Sequence, residues 1–183
     1  MAMNVYIALI RGINVGGNNI VKMQDLKALF EDLGFRNART YIQSGNVVFE
    51  TGEGDNGETV RQTIEDGFRA AFGFGVSVVV RSAEELVSVI AGNPFELAAA
   101  EDFKRLHVFF LSGEPDKEAL ERLAPYENGE DMIRVAGRDM YILFHTKISD
   151  SPLFKVSLDK VLGLSATSRN WNTVTKLAAM AGE

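Results

Sequence analysis

The chain contains no cysteine, which removes thiol nucleophiles, disulfides and thiolate metal centres together and fits a reducing, cytoplasmic setting. Histidine is almost as scarce. His107 and His145 are the two among 183 residues, too few for a His-rich zinc or iron centre. No metal is therefore expected, and no pattern asks for a cofactor. Positive charge is in deficit, with 19 basic against 25 acidic residues and a net charge of −6. Nucleic acid and anionic lipid repel such a chain at long range, so either would require a concentrated local basic patch. The apolar run at the start, Met1 to Ile10, is far too short for a membrane span and has neither a basic leader nor a small-residue cleavage site. No membrane partner is expected.

With 46% hydrophobic residues, the composition is that of an ordinary folded protein, large enough for one generous domain or two small ones. Residues 3–10 place Val5, Ile7 and Leu9 on one face of a strand and Tyr6, Ala8 and Ile10 on the other, the pattern of a central strand. Met23, Leu26, Leu29, Phe30 and Leu33 follow at helical spacing, stopped by Gly34. Strands at 39–43 and 46–49 flank a tight turn at Ser44-Gly45. A polar connector covers 50–57. Val60, Ile64, Phe68 and Phe72 then mark a second helix, and 76–80 a fourth strand. The order β-α-β-β-α-β is that of a ferredoxin-like plait, spanning 1–81.

Ser82-Ala83-Glu84-Glu85 opens a linking helix with a capping box. Gly92-Asn93-Pro94 closes it, and 95–102 reads as a linker, so 82–102 separates the plait from a second half at 103–183. The order of elements then repeats. A strand is expected at 105–111, a helix at 115–123 started by Ser112 or Pro115, and strands at 132–135 and 140–144 about the turn Ala136-Gly137-Arg138-Asp139. A helix at 153–162 ends at Gly163, an extended piece covers 164–167, and Thr167 or Ser168 caps a last helix with Trp171, Val174, Leu177 and Ala178 inward. The predicted fold is α+β, two plait subdomains in tandem with a C-terminal helix.

Strand direction alternates along a plait, so the loop leaving the first strand, the hairpin between the second and third, and the entry to the fourth share one end of the sheet. That gathers Arg11, Asn14, Asn18, Asn19, Lys22, Gln43, Ser44 and Asn46 at one rim. Gly12, Gly16 and Gly17 let backbone N–H groups approach a ligand, the helix that follows favours an anion, and Arg11 and Lys22 add positive charge. The candidate ligand-binding set is thus Arg11, Asn14, Gly16, Gly17, Lys22, Gln43, Ser44 and Asn46. Shaping a tight connection and capping a helix accounts for the same glycines and asparagines equally directly. Gly12-x-x-x-x-Gly17 has P-loop spacing, but Asn18-Asn19 stands where Lys-Ser/Thr is required, and the dinucleotide fingerprint is absent.

No catalytic constellation stands out. Ser157-Leu158-Asp159-Lys160 matches S-x-x-K without the accompanying K-T-G. His107 reads as a half-buried strand residue, and neither histidine has a nucleophile or carboxylate at informative spacing. Glu84, Glu85, Glu130 and Asp131 read as solvated faces and caps. Arg169 and Asn170, at the start of the last helix, are secondary candidates beside Trp171 as a core anchor.

Three segments together carry a resemblance. Leu9-Ile10-Arg11-Gly12-Ile13-Asn14-Val15-Gly16-Gly17, Thr40-Tyr41-Ile42-Gln43-Ser44-Gly45-Asn46-Val47-Val48-Phe49 and Thr167-Ser168-Arg169-Asn170-Trp171-Asn172-Thr173-Val174 resemble the bacterial family called domain of unknown function 1697. The resemblance implies two plait subdomains and no assigned activity. Its motifs map onto Arg11, Asn14, Gly16, Gly17, Gln43, Ser44, Gly45, Asn46, Arg169 and Asn170, with Lys22 as a basic residue soon after the glycines.

Three functions are expected in order. The first is a small anionic or nucleotide-like ligand at the Arg11 rim. The second is a nucleic-acid module using Tyr6, Tyr41 and Phe49, against which the acidic balance and the doubly apolar strands argue. The third is an interaction protein, a homodimer among its forms, built on the glycine-rich loop and the last helix.

Overall fold

The apolar run after Met3 becomes strand β1 (Asn4–Ile10), whose last four residues are buried. β1 lies antiparallel between β3 (Asn46–Thr51) and β4 (Val78–Ser82), with β2 (Arg36–Tyr41) outside β3. Its two neighbours pair both of its edges, and Ile7 to Ile10 are buried on both faces of the sheet, as the apolar run requires. The computed structural model describes residues 3–127 and 130–183; Met1 and Ala2, which head the first expected domain, lie outside the described residues.

Two helices cover one face of this sheet. α1 (Met23–Asp32) buries Leu26, Leu29 and Phe30, and α2 (Gly57–Phe72) buries Val60, Ile64 and Phe68. They meet Ala8, Ile10, Val47 and Phe49 in one cluster. The Phe30 and Phe49 rings lie edge to face at 5.0 Å, and each large side chain withdrawn from water contributes about 1.5–3 kcal/mol. Asn56 caps α2 by accepting from the Thr59 N–H, and Gly73 ends it at a φ of 80°.

The second sheet repeats the order, β6-β7-β5-β8, from β5 (Leu106–Leu111), β6 (Met132–Ala136), β7 (Asp139–Leu143) and β8 (Ala166–Asn170). Its helix-covered face holds Leu111, Met140, Ile142 and Ala166 with Leu123, Leu153 and Leu162. The chain therefore has two tandem plait-like subdomains. By contacts it divides into residues 1–88 with 176–183, and residues 89–175. The first division falls within α3 (Ala83–Ala91) and the second within α8 (Trp171–Ala181). In the first unit Arg39 donates to Met180 O at 2.7 Å and pairs with Glu183 at 2.9 Å, fastening the last helix beside β2. Among the described residues no helix is long and apolar enough to cross a membrane.

Several local expectations are corrected. The second strand ends at Tyr41 and not at Gln43, because Ile42 adopts a φ of 49° and opens the turn early. α4 (Ala100–Arg105) begins inside the expected linker and runs past its end, started by the Asp102 carboxylate reaching back to the Ala98 and Ala99 N–H groups. α5 (Lys117–Leu123) is capped by Asp116, not by Ser112 or Pro115. The single helix expected at 153–162 is two pieces, α6 (Pro152–Lys155) and α7 (Leu158–Leu162). Val156 and Ser157 between them are extended, and Ser157 Oγ accepts from the Lys160 N–H at 3.4 Å. The S-x-x-K match is a helix cap. The last strand runs on to Asn170, whose Oδ1 accepts from the Thr173 N–H at 2.9 Å and takes the capping position expected of Thr167 or Ser168.

Asp131 departs furthest from expectation. It is fully buried rather than a solvated carboxylate. It accepts from the N–H groups of His145 and Thr146 and from the hydroxyls of Thr146 and Ser151, the last at 2.7 Å. Burial alone raises its pKa, and these donors outweigh burial and hold the carboxyl below its ordinary value. Asp131→Asn keeps one acceptor oxygen and loses the other, so urea titration should show unfolding easier by about 2 kcal/mol. Because the folded pKa is depressed, the stabilisation is present above the ordinary Asp range and is lost as pH falls through the folded value. Below pH ~4 the wild-type unfolding midpoint should accordingly fall more steeply than that of Asp131→Asn.

Candidate functional site

The end of β1 ties three segments together through its backbone. The Ile10 N–H donates to Gly45 O at 2.8 Å and the Arg11 N–H to Ser77 O at 3.0 Å. The first bond reaches the β2–β3 hairpin and the second the entry to β4, so the segments expected at one rim do meet there.

The loop between β1 and α1 is a miniature hairpin. The Asn18 N–H donates to Val15 O at 3.0 Å and the Asn14 N–H to Asn19 O at 3.1 Å. Gly16 and Gly17 between them have φ values of 59° and 77°, as a two-residue primed turn requires. Their positive φ is used to reverse the chain. Asn19 adds a bond from Nδ2 to Gly12 O.

Asn14 fastens this hairpin to the rest of the rim. Its Oδ1 accepts from the Val21 N–H at 2.8 Å, while Nδ2 donates to Val21 O at 3.0 Å and to Gln43 O at 2.8 Å. Its φ of 56° lies in the left-handed region that asparagine tolerates better than most residues. On the facing hairpin Asn46, fully buried, donates from Nδ2 to Tyr41 O at 2.9 Å and to Ser44 Oγ at 3.0 Å. Gly45 closes the join. At its φ of 94° a Cβ would stand 2.8 Å from Ile13 Cδ1.

These bonds change what the rim offers outward. The carboxamides of Asn14 and Asn46, expected to meet a ligand, are engaged within the protein, as is the backbone carbonyl of Gln43. Arg11, Gly16, Gly17, Lys22, Gln43 and Ser44 are exposed. So are three apolar residues absent from the expected set, Ile20 at 69%, Val15 at 64% and Ile42 at 49%. The first two are the most exposed large hydrophobic residues described. Each of the three is a chain neighbour of a residue bonded through Asn14. Val15 and Ile20 had a signal in the sequence, being apolar residues among Gly and Asn with no partner at helical or strand spacing. Ile42 had none, since no pattern marks a β-branched residue at positive φ.

Elsewhere the candidates have local roles. Arg169 and Asn170 belong to the second unit. Asn170 caps α8, and burial lowers the Arg169 pKa to about 10 while its guanidinium donates to Ser168 O at 2.8 Å. His107 is half-buried, as expected, with Nδ1 3.4 Å from Arg105 O and its ring edge-on to Phe144. Burial lowers its pKa. Of the three aromatics expected to serve a nucleic-acid module, Phe49 is fully buried, Tyr6 is half-buried with its ring 6.3 Å from that of Phe49, and Tyr41 is half-buried at the end of β2. Grooves of about 380 Å³ beside Arg39, Asn37 and Glu50, and about 340 Å³ beside Leu120, Ile133 and Val135, are not lined by the rim. No group of three His, Asp or Glu able to hold a metal occurs among the described residues.

Comparison with known families matches residues 3–141 to the model described as protein of unknown function, DUF1697. The chain belongs to this family. The match takes in both rim loops and ends before Arg169 and Asn170. Among solved structures the chain resembles the conserved bacterial protein SP0830 from Streptococcus pneumoniae, with 25% sequence identity, a TM-score of 0.77 and full coverage of both chains. No curated protein matches it.

Removing the Asn14 carboxamide should free the rim loops from one another. Asn14→Ala is expected to lower the unfolding free energy by about 2 kcal/mol. It should also speed amide exchange across 12–22 and 42–46 while β1 and α2 stay protected. Unchanged exchange at the two loops would show that the backbone bonds alone hold them.

Proposed function

We propose that this protein is an interaction module that docks a partner protein on the rim of its first subdomain, with Val15, Ile20 and Ile42 as the contact residues. The observation that carries the reading is Ile42. A β-branched residue in the left-handed region costs roughly 1–2 kcal/mol. The carbonyls on either side of it, Tyr41 and Gln43, are held by the Asn46 and Asn14 carboxamides. The fold thus maintains strain in order to present an exposed apolar side chain, the pattern expected where strain serves a site.

A small anionic ligand keeps Arg11 and Lys22 in its favour, but the carboxamides it would share are already engaged. Single exposed apolar residues are ordinary on a protein surface. We read these three, exposed on two loops joined by one side chain, as parts of one partner surface. We assign both subdomains to the ferredoxin-like class on their shared strand order, and the cysteine-free composition supports a cytoplasmic setting.

Ile42→Asn separates presentation from folding, because asparagine tolerates the positive φ. The variant should be more stable to urea by about 1 kcal/mol. Peptides selected on the wild-type chain from a random display library should bind this variant, and Val15→Asp, about tenfold or more weakly. Selected peptides indifferent to substitution at Val15, Ile20 and Ile42 would overturn the proposal.

A further inference from the structure

We infer that both plaits close their sheet edges against strand addition with their own side chains, so that neither a second copy of this chain nor an extended partner segment enters through a strand. The inference is independent of the rim as a docking surface. β4 and β8 each end a four-stranded sheet. The outer edge of such a strand offers a row of N–H and C=O groups to any chain that can pair with it.

Which groups face outward follows from the pairing. In an antiparallel ladder, opposite residues alternate between pairs that exchange hydrogen bonds and pairs that point their polar groups away from each other. The Arg11 N–H binds Ser77 O, so Val79 and Arg81 bond inward to β1, and Val78, Val80 and Ser82 point outward. The Ser112 N–H binds Ser165 O, so Ala166, Ser168 and Asn170 point outward from β8. Side chains meet these outward groups. On β4 the Val78 N–H donates to Glu65 Oε1 at 3.1 Å, the Arg81 guanidinium donates to Val80 O at 3.3 Å, and the Ser82 N–H donates to Glu85 Oε1 at 3.2 Å. On β8 the Ala166 N–H donates to Asp159 Oδ1 at 3.1 Å, and the Arg169 guanidinium donates to Ser168 O at 2.8 Å.

The two edges use one device. A carboxylate from the helix before the strand, Glu65 of α2 or Asp159 of α7, holds the first outward N–H. Two positions on, an arginine of the strand holds the carbonyl of the residue before it. A strand added at either edge would bond through both polar groups of each outward residue. One of the two is already held at Val78 and Val80, and again at Ala166 and Ser168, so each step of pairing breaks a bond within the chain. The remaining edges are closed as well. On β6 Arg134 lies opposite Tyr141, one bonded pair in from the Gly137-Arg138 turn, which points Ile133 outward. Its guanidinium donates to Ile133 O at 2.7 Å. β2 shifts register between Arg36 and Arg39, where Asn37 takes a φ of 49°, and such an irregularity interrupts the row that a new strand would read.

Sedimentation of the whole chain over a range of concentrations tests this, with urea unfolding to show that each variant is folded. Asp159→Ala combined with Arg169→Met opens the edge of β8, and Arg134→Met opens that of β6. Each is expected to self-associate about tenfold or more tightly than the wild-type chain, with amide exchange slowed along the opened strand. The Arg134 side chain is 47% exposed and its replacement leaves the core intact, so this variant carries the test if the double variant does not fold. A folded variant of either kind that associates no more than wild type overturns the inference. Association that leaves exchange along the opened strand unchanged places the contact elsewhere and also overturns it. So does a wild-type dimer in which the β4 or β8 amides gain protection, because those edges are then open.

Discussion

The carboxamide of Asn14 is the constraint on which the rim depends. A loop that leaves a strand and turns back into a helix carries backbone donors and acceptors that the sheet ladder does not reach, and each needs a partner where water is excluded. One side chain serves both polar groups of Val21 and the carbonyl of Gln43. Asparagine alone offers an acceptor and two donors in a planar group that short, together with tolerance of a φ of 56°. Asp lacks the donors and Gln is a methylene too long. The result is that the β1–α1 loop and the β2–β3 hairpin behave as one body.

That rigidity decides how the apolar residues beside it act. A mobile loop carrying Val15 and Ile20 would lose conformational entropy on binding, about 1–2 kcal/mol for each backbone residue ordered. A loop already held by Asn14, Asn19 and its primed turn has met most of that cost on folding. The strain at Ile42 is of the same size and, in the proposed docking role, works in the same direction, since its conformation is already set in the folded chain. At the same join the Gly45 backbone lies close to the Ile13 side chain, where a Cβ would stand 2.8 Å from Cδ1.

The sequence makes the frame of the first subdomain legible and hides its joints. Alternation in residues 3–10 and the helical spacing of Leu26, Leu29 and Phe30 report burial, which is periodic and local, so β1 and α1 can be read directly. The meeting of the rim segments follows from strand direction alone. What is not legible are side-chain hydrogen bonds across the chain. Asn14 and Asn46 look alike as polar loop residues whether their carboxamides face solvent or bind Gln43 and Tyr41. Asp131 reads as a surface acid because its partners, His145, Thr146 and Ser151, lie fourteen to twenty residues away. Ser157 and Asp116 take capping roles that a plain count of helical spacing passes over. For Ile42 the residue type itself argues against the conformation it adopts.

The second subdomain shows how much of the rim the plait itself demands. It closes with the same two backbone bonds at the end of its own first strand, the Leu111 N–H to Arg138 O at 2.9 Å and the Ser112 N–H to Ser165 O at 2.9 Å. These match the bonds of Ile10 and Arg11 to Gly45 and Ser77. Beyond them the two subdomains diverge. Residues 112–116 lead to α5 with no inserted hairpin, and β6 and β7 turn through Gly137 and Arg138 with positive φ only at the glycine. No large exposed hydrophobic residue lies in 112–116, 137–138 or 163–165. Closing a plait therefore requires neither the Asn14 loop nor a strained isoleucine. Both are additions made at one rim and left out at the other. The added loop is not idle in folding, since its Ile13 and Val21 join the first core cluster, but the strain at Ile42 and the exposure of Val15 and Ile20 add nothing to that core, and this is the ground on which the docking role is proposed.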